Sequence, residues 1–277
     1  MNAIEIKNIN KSFKDFRLDN LSFNLPTGCI LGLIGENGAG KSTTIKLILD
    51  VLELDSGSIK VLRKDNKLLD KNDVGVLTDD FGMPDCLNAR ELEKVMSGVF
   101  RSWNHDEYIR ICKLLKVPSD KKFKELSMGN KMKIRIAVAM SHNASLLILD
   151  EPTNGLDPLI RDEVINLLFD FTRNAKHSVL ISSHIVSDLE KVCDYICFMH
   201  NGKSIIYEEK DELINNYGVI HCGNDGIFNI NSDAIIKENI TSYSKILLVD
   251  KRKLNSDMHV SPISIEELFI FMVKEDK

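Results

Sequence analysis

One eight-residue stretch, Gly35-Glu36-Asn37-Gly38-Ala39-Gly40-Lys41-Ser42, restricts this chain more than any other. It closes the short apolar run CILGLIG and opens KSTTIKLILDVL, where apolar residues recur at helical spacing. Strand, glycine loop and helix in that order match the pattern G-x-x-x-x-G-K-[ST]. The glycines let the backbone curl so that its N–H groups face phosphate oxygens, and the helix N-terminus adds positive potential. Lys41 then meets the β- and γ-phosphates, and Ser42 can ligate Mg²⁺. The candidate nucleotide-binding set is therefore Gly35, Asn37, Gly38, Gly40, Lys41, Ser42 and the adjoining Thr43. A plain glycine turn before a helix is the competing reading, and the strand-to-helix context favours the phosphate loop.

A second segment, Leu146-Leu147-Ile148-Leu149-Asp150-Glu151, reads as a buried strand ending in two adjacent carboxylates. Ligands of α/β sheets gather at that carboxyl edge. Asp150 is placed to help hold Mg²⁺. Glu151, one residue on, points elsewhere and is placed to accept a proton from, or to orient, an attacking water. A carboxylate that merely caps the next helix is the alternative for this pair taken alone.

The rest of the chain arranges itself around these two segments. Apolar residues alternate through Ile4, Ile6 and Ile9 and again through Leu21, Phe23 and Leu25 before the turn signal Pro26-Thr27-Gly28, which predicts two antiparallel strands. Residues 79–133 change to amphipathic helical texture (ARELEKVMSGVF, DEYIRICKLLKV). Strand SLLILD, helix VINLLFDFTRN, strand SVLISS, helix VSDLEKVC and strand YICFMHNGK then alternate as parallel β/α units do. Beyond residue 210 that regularity is lost, and the chain closes on the amphipathic pattern SIEELFIFMVKE.

Composition narrows the partners. Lys and Arg total 36 against 41 Asp and Glu, a net charge of −5, the opposite of the surplus that binds nucleic acid. The six cysteines are scattered without a CxxC pair, which fits a reduced cytoplasmic setting; Cys193 and Cys197 read as packing residues rather than metal ligands. The longest glycine-free apolar run, 268–273, is far short of the ~20 residues of a spanning helix. A membrane path, if one is served, belongs to another polypeptide. Trp103 stands near a possible docking surface, with local packing an equal alternative.

With these motifs in register, the chain resembles the ATP-binding domain of ABC transporters over about residues 1–210. Leu126-Ser127-Met128-Gly129-Asn130 occupies the place of that family's LSGGQ signature; Ser127 and Gly129 are kept, Met128 and Asn130 depart from it. The resemblance implies that Ser127 and Gly129 grip the γ-phosphate of ATP held by an opposite subunit. Gly155-Leu156-Asp157 resembles the D-loop, which puts Asp157 at the same interface. Ser182-Ser183-His184 resembles the switch region, whose histidine contacts the γ-phosphate and links it to Glu151. In KSFKDFRLDN, Phe13 aligns better than Phe16 with the aromatic residue that stacks on adenine. VGVLTDDFG places Asp79, or its neighbour Asp80, where the family has a Mg²⁺-sensing glutamine.

The implied fold is α/β: a P-loop NTPase core with a parallel sheet, an N-terminal antiparallel β subdomain and a helical signature subdomain (about 79–133) within residues 1–210, then a small C-terminal α/β extension over 211–277. The implied cofactors are ATP and Mg²⁺, with Lys41, Glu151 and His184 catalytic and Ser42, Asp150 and Asp79 on the metal. The implied partners are a second copy or a similar ATPase subunit, and separate integral membrane subunits at the cytoplasmic face. No nucleic acid is expected. The single cassette, altered signature and short tail resemble bacterial exporters of antimicrobial or cytotoxic peptides. A soluble ABC-type ATPase and an ATP-regulated binding module are the alternatives.

Overall fold

The computed structural model describes residues 1–78, 82–222, 230–240, 245–254 and 258–274. Strand β1 (Asn2–Ser12) pairs antiparallel with β2 (Arg17–Pro26), as the two alternating segments require. The central strand β3 (Ile30–Gly35) leads through the glycine loop into α1 (Lys41–Ile48). Next come β4 (Ser56–Val61) and the short β5 (Lys64–Asp65), which extend the first sheet to the order β2-β1-β4-β5. The N-terminal subdomain thus holds four strands where the sequence pattern suggested two. SGSIKV is largely polar and exposed, so its alternation was too weak to read.

After β6 (Val74–Leu77), three helices form the expected helical subdomain: α2 (Ala89–Val99), α3 (His105–Leu114) and α4 (Met128–Met140). The start of α2 is fixed by a capping box, in which the Asn88 side chain accepts from the Glu91 N–H while Glu91 accepts from the Asn88 N–H. His142 ties this subdomain to the sheet. Its ring nitrogens lie 3.2 Å from the Val138 carbonyl and 3.1 Å from the Val74 carbonyl, and it stacks on Phe100 at 4.0 Å. Burial holds its imidazole below the ordinary value.

The alternating units follow: β7 (Leu146–Asp150), α5 (Pro158–Thr172), β8 (Ser178–Ser183), α6 (Val186–Val192) and β9 (Tyr195–His200). They complete a six-stranded sheet with order β10-β9-β3-β8-β7-β6, parallel throughout except at β10 (Lys203–Glu209), which turns back antiparallel on β9. The core obeys the period-two rule of strands. Ile30, Ile34, Leu147, Leu149, Val179, Ile181 and Phe198 face the layer containing α4, α5 and α6. Leu31, Leu33, Leu146, Ile148, Leu180 and Met199 face α1 and the N-terminal sheet.

Helix α7 (Lys210–Asn216), strands β11 (Tyr217–Cys222), β12 (Ile235–Ile240) and β13 (Lys245–Asp250), and helix α8 (Ile265–Val273) build the tail, with sheet order β11-β13-β12. Its apolar residues do not form a wholly separate core. Leu213, Tyr217, Ile265, Leu268 and Phe269 join the layer under α5 and α6, and Phe269 meets Phe198 edge-on at 5.2 Å. Cys193 and Cys197 are buried in packing positions: a Cβ on Gly32 would lie 2.9 Å from the Cys193 Sγ. Burial pushes the Cys197 thiol up to about 12. No helix among the described residues is long and apolar enough to cross a membrane.

Candidate active site

Three adjacent parallel strands, β3, β8 and β7, end at one edge, and each delivers a piece of the site. From β3 comes the glycine loop. Gly40 has φ 108°, which demands glycine, and it packs closely under two side-chain tips: a Cβ there would lie 2.6 Å from Leu18 Cδ2 and 3.0 Å from Phe16 Cζ. Gly38, at φ 86°, needs glycine for its backbone alone. Close packing explains Gly35, where a Cβ would come within 2.6 Å of the Met199 carbonyl oxygen. Helix α1 then starts with no acidic residue in its first turn, which leaves its positive end available to an anion. Ser42 is exposed and Thr43 half-buried on that turn, and Asn37 is exposed on the loop.

Lys41 is buried, and its ammonium is drawn into the loop. Nζ donates to the Gly35 carbonyl at 2.6 Å and the Glu36 carbonyl at 3.2 Å, and stands 3.3 Å from Glu151 Oε1. Glu151 follows β7 in a left-handed conformation, φ 51°, which costs about 1–2 kcal/mol for a residue with a side chain. Ser182 on β8 offsets that strain. Its carbonyl and hydroxyl oxygens accept from the Glu151 N–H at 3.2 and 3.0 Å, while its own hydroxyl donates to Asp150 Oδ1. The twist at Glu151 sends its carboxylate away from Asp150 and across to His184, where Oε2 lies 2.7 Å from Nδ1 and accepts the backbone N–H at 3.3 Å. One carboxylate therefore spans the phosphate-loop lysine and the switch histidine.

Around this centre the other sequence-selected residues fall in two groups. Phe13 and Phe16 close a tight turn beside Gly40, with ring centroids 6.3 Å apart; Phe16 is tucked in and Phe13 is 45% exposed, the geometry of a ring free to stack on a base. Ser127, Gly129 and Asp157 belong to a different face. Ser127 caps α4, accepting from the Asn130 N–H at 3.4 Å, and Asp157 caps α5, accepting from the Ile160 N–H at 3.1 Å. Gly129 and Gly155 touch: a Cβ on Gly129 would lie 2.8 Å from the Gly155 carbonyl oxygen. Asp79 and Asp80 lie outside the described residues. Trp103 packs locally, its Nε1 donating to Glu93 at 3.1 Å and its ring 5.4 Å from Tyr108.

Sequence reasoning did not single out Ser182 for a role. Its signal is positional: Asp150 and Ser182 are register partners between β7 and β8, visible only once the strand order is known.

Fold and site together define a P-loop nucleoside triphosphatase of the ATP-binding-cassette build. The family model described as ABC transporter matches residues 18–154. The chain is 34% identical over 221 residues to the lantibiotic transport ATP-binding protein SrtF of Streptococcus pyogenes, covering 77% of this chain and 96% of that protein. It is 34% identical over 192 residues to the bacitracin transport ATP-binding protein BcrA of Bacillus licheniformis, covering 67% and 62%. The fold matches the dimeric structure of a bacterial ABC transporter cassette at 20% identity with TM-score 0.67, covering 75% of this chain and 98% of that one. The chain belongs to the ABC transporter ATP-binding family, and its reaction is the hydrolysis of ATP.

Proposed function

We propose that this chain powers export of peptides through separate integral membrane subunits, working at the cytoplasmic face of the membrane as a nucleotide-closed pair of two copies or with a similar subunit. The divided contact of Glu151, one oxygen toward Lys41 and the other toward His184, carries the catalytic part of this reading. A γ-phosphate drawn to Lys41 and the α1 N-terminus comes to rest beside a carboxylate already held by the imidazole. Glu151 then accepts the proton of the attacking water, and His184 keeps that carboxylate aimed while contacting the phosphate. Lys41 and the loop N–H groups of residues 38–43 stabilise the charge that develops on the transferred group. Phe13 stacks on the adenine.

The donors near the phosphate loop suit Mg²⁺. Ser42 offers a hydroxyl on the first turn of α1, and Asp150 a carboxylate oriented by Ser182, both hard oxygen ligands. When bound, the ion neutralises phosphate charge. Asp79 is the remaining candidate ligand. The signature face, exposed at Ser127 and half-buried at Gly129 beside the 155–157 loop, is the surface offered to the ATP of the opposite subunit. The peptide cargo is suggested by the lantibiotic and bacitracin transport proteins to which the chain is similar.

Size-exclusion mass analysis of Glu151→Gln with and without ATP and Mg²⁺, beside the wild-type hydrolysis rate, tests the mechanism. An ATP-dependent dimer with an active wild type is expected. A chain that stays monomeric with ATP would remove closure by two copies and leave the pairing to a similar subunit.

A further inference from the structure

Outside the site, one buried carboxylate has no role in the chemistry so far. Asp188 lies in the first turn of α6, four residues after His184, with its side chain only 6% exposed. Its Oδ2 is 3.6 Å from Arg161 Nε, and neither atom has a hydrogen-bond partner. Arg161 belongs to the first turn of α5, and its N–H bonds the Asp157 carbonyl at 2.9 Å. The ion pair thus joins the helix behind the 155–157 loop to the helix behind His184.

Stability is a poor explanation for such a pair. Burying the Asp188 carboxylate is expensive, and a half-buried Arg161 repays that cost only with good hydrogen-bonding geometry, which a 3.6 Å contact lacks. A charge-assisted bond closes at about 2.7–2.9 Å, so the two helices stand roughly 0.8 Å short of it. A second pair between the same helices, Lys191 to Asp162, is already closed at 2.9 Å but is exposed on both sides and therefore worth little.

We propose that Asp188 is a positioning residue for hydrolysis: through Arg161 it transmits displacement of the 155–157 loop to α6 and so sets His184 against Glu151. The proposal rests on the roles given above to Glu151, His184 and the dimer-facing loop. When a partner subunit presses on that loop, α5 moves with its capping residue Asp157, the Arg161–Asp188 gap closes, and the start of α6 carries His184 with it. The loose contact is the resting state of that linkage.

Steady-state ATP hydrolysis by the full chain tests this. Asp188→Asn, which keeps the shape and removes the charge, is expected to lower kcat roughly 10- to 100-fold, the scale of a slightly misplaced group, with KM for ATP changed less than about twofold. Asp188→Glu, whose extra methylene spans the gap, should recover most of that rate. Adding Arg161→Gln to Asp188→Asn should cost no more than the single change, because the two act as one unit. Lys191→Ala should stay within about twofold of wild type. Unchanged kcat in Asp188→Asn overturns the proposal, as does a loss matched by Lys191→Ala, which would mean general helix docking. Glu151→Gln in the same assay separates the two readings: if it is inactive while Asp188→Asn runs at full rate, only the positioning role fails, whereas wild-type turnover in Glu151→Gln removes the catalytic reading itself.

Discussion

The two functional faces of this cassette are finished to different degrees. At the strand edge, Lys41, Glu151, His184, Asp150 and Ser182 satisfy one another within a single chain, through contacts of 3.3 Å or less. At the signature face, Ser127 and Met128 are exposed, while Leu126 before them is buried and Gly129 after them abuts Gly155. On the proposed reading the first face is a preorganised site and the second is half of one. Preorganisation matters at the first because charge develops there and fixed groups need not rearrange. Exposure serves the second on the proposed reading, in which its ligand is an ATP held by the opposite subunit.

The largest expected effect breaks the first face. Glu151→Gln keeps the size of the side chain but removes the proton acceptor, and should slow turnover by roughly 10²–10⁴ while ATP binding persists. Rapid-quench or phosphate-release assays read it; wild-type turnover would remove Glu151 from the role. Lys41→Ala comes next. A hydrogen bond to a charged group contributes about 1.5–3 kcal/mol, so ATP affinity by titration calorimetry should fall roughly 10- to 100-fold. Unchanged affinity would place the phosphates somewhere other than this loop.

A smaller effect sharpens the contrast. Ser127→Ala removes the cap of α4, but the cap bond is long at 3.4 Å, so the chain's own stability should drop by only about 0.5 kcal/mol. If Ser127 serves an ATP held by the opposite subunit, dimerisation of the Glu151→Gln background should shift to higher ATP concentration while the melting temperature barely moves. Equal small shifts in both would reduce Ser127 to a helix cap.

The finished face was also the more legible one. Its loop announces itself by glycine spacing and β7 by an unbroken apolar run before Asp150, whereas α5, read from its apolar periodicity only from Val164, begins six residues earlier at Pro158 behind the capping Asp157. The start of α8 is written just as locally in the Ser264 and Glu267 capping box. What the sequence concealed is set by tertiary partners. Strand β10, KSIIYEE, is only half-buried and shows no clean alternation, so its return against β9 was missed. The left-handed turn at Glu151 carries no glycine to mark it, and Ser182 matters only because β8 lies beside β7. The Arg161–Asp188 pair bridges two helices whose facing sides no single-chain periodicity specifies.

The smallest expected effect concerns a titrating clamp on the subdomain that bears the signature loop. Glu93 on α2 accepts from Trp103 Nε1, and His105 Nδ1 lies 2.8 Å from the same carboxylate oxygen. The Glu93 hydrogen bond and charge raise the His105 imidazole above its ordinary value, and the hydrogen bond to His105 holds the Glu93 carboxyl below its own. The histidine's contribution is complete below the ordinary imidazole value of about 6.5 and is lost as pH rises through its raised pKa; the glutamate's is complete above about 4.3 and is lost as pH falls through its lowered pKa. Both therefore act fully between about pH 4.3 and 6.5. His105→Ala should lower the melting temperature most near pH 5.5 and hardly at all near pH 8.5, because the His105 side chain is exposed and its contact with Glu93 is worth little once the imidazole is neutral. A deficit independent of pH would mean that His105 contributes by packing, and the signature-bearing subdomain would then carry no charge-dependent brace at this point.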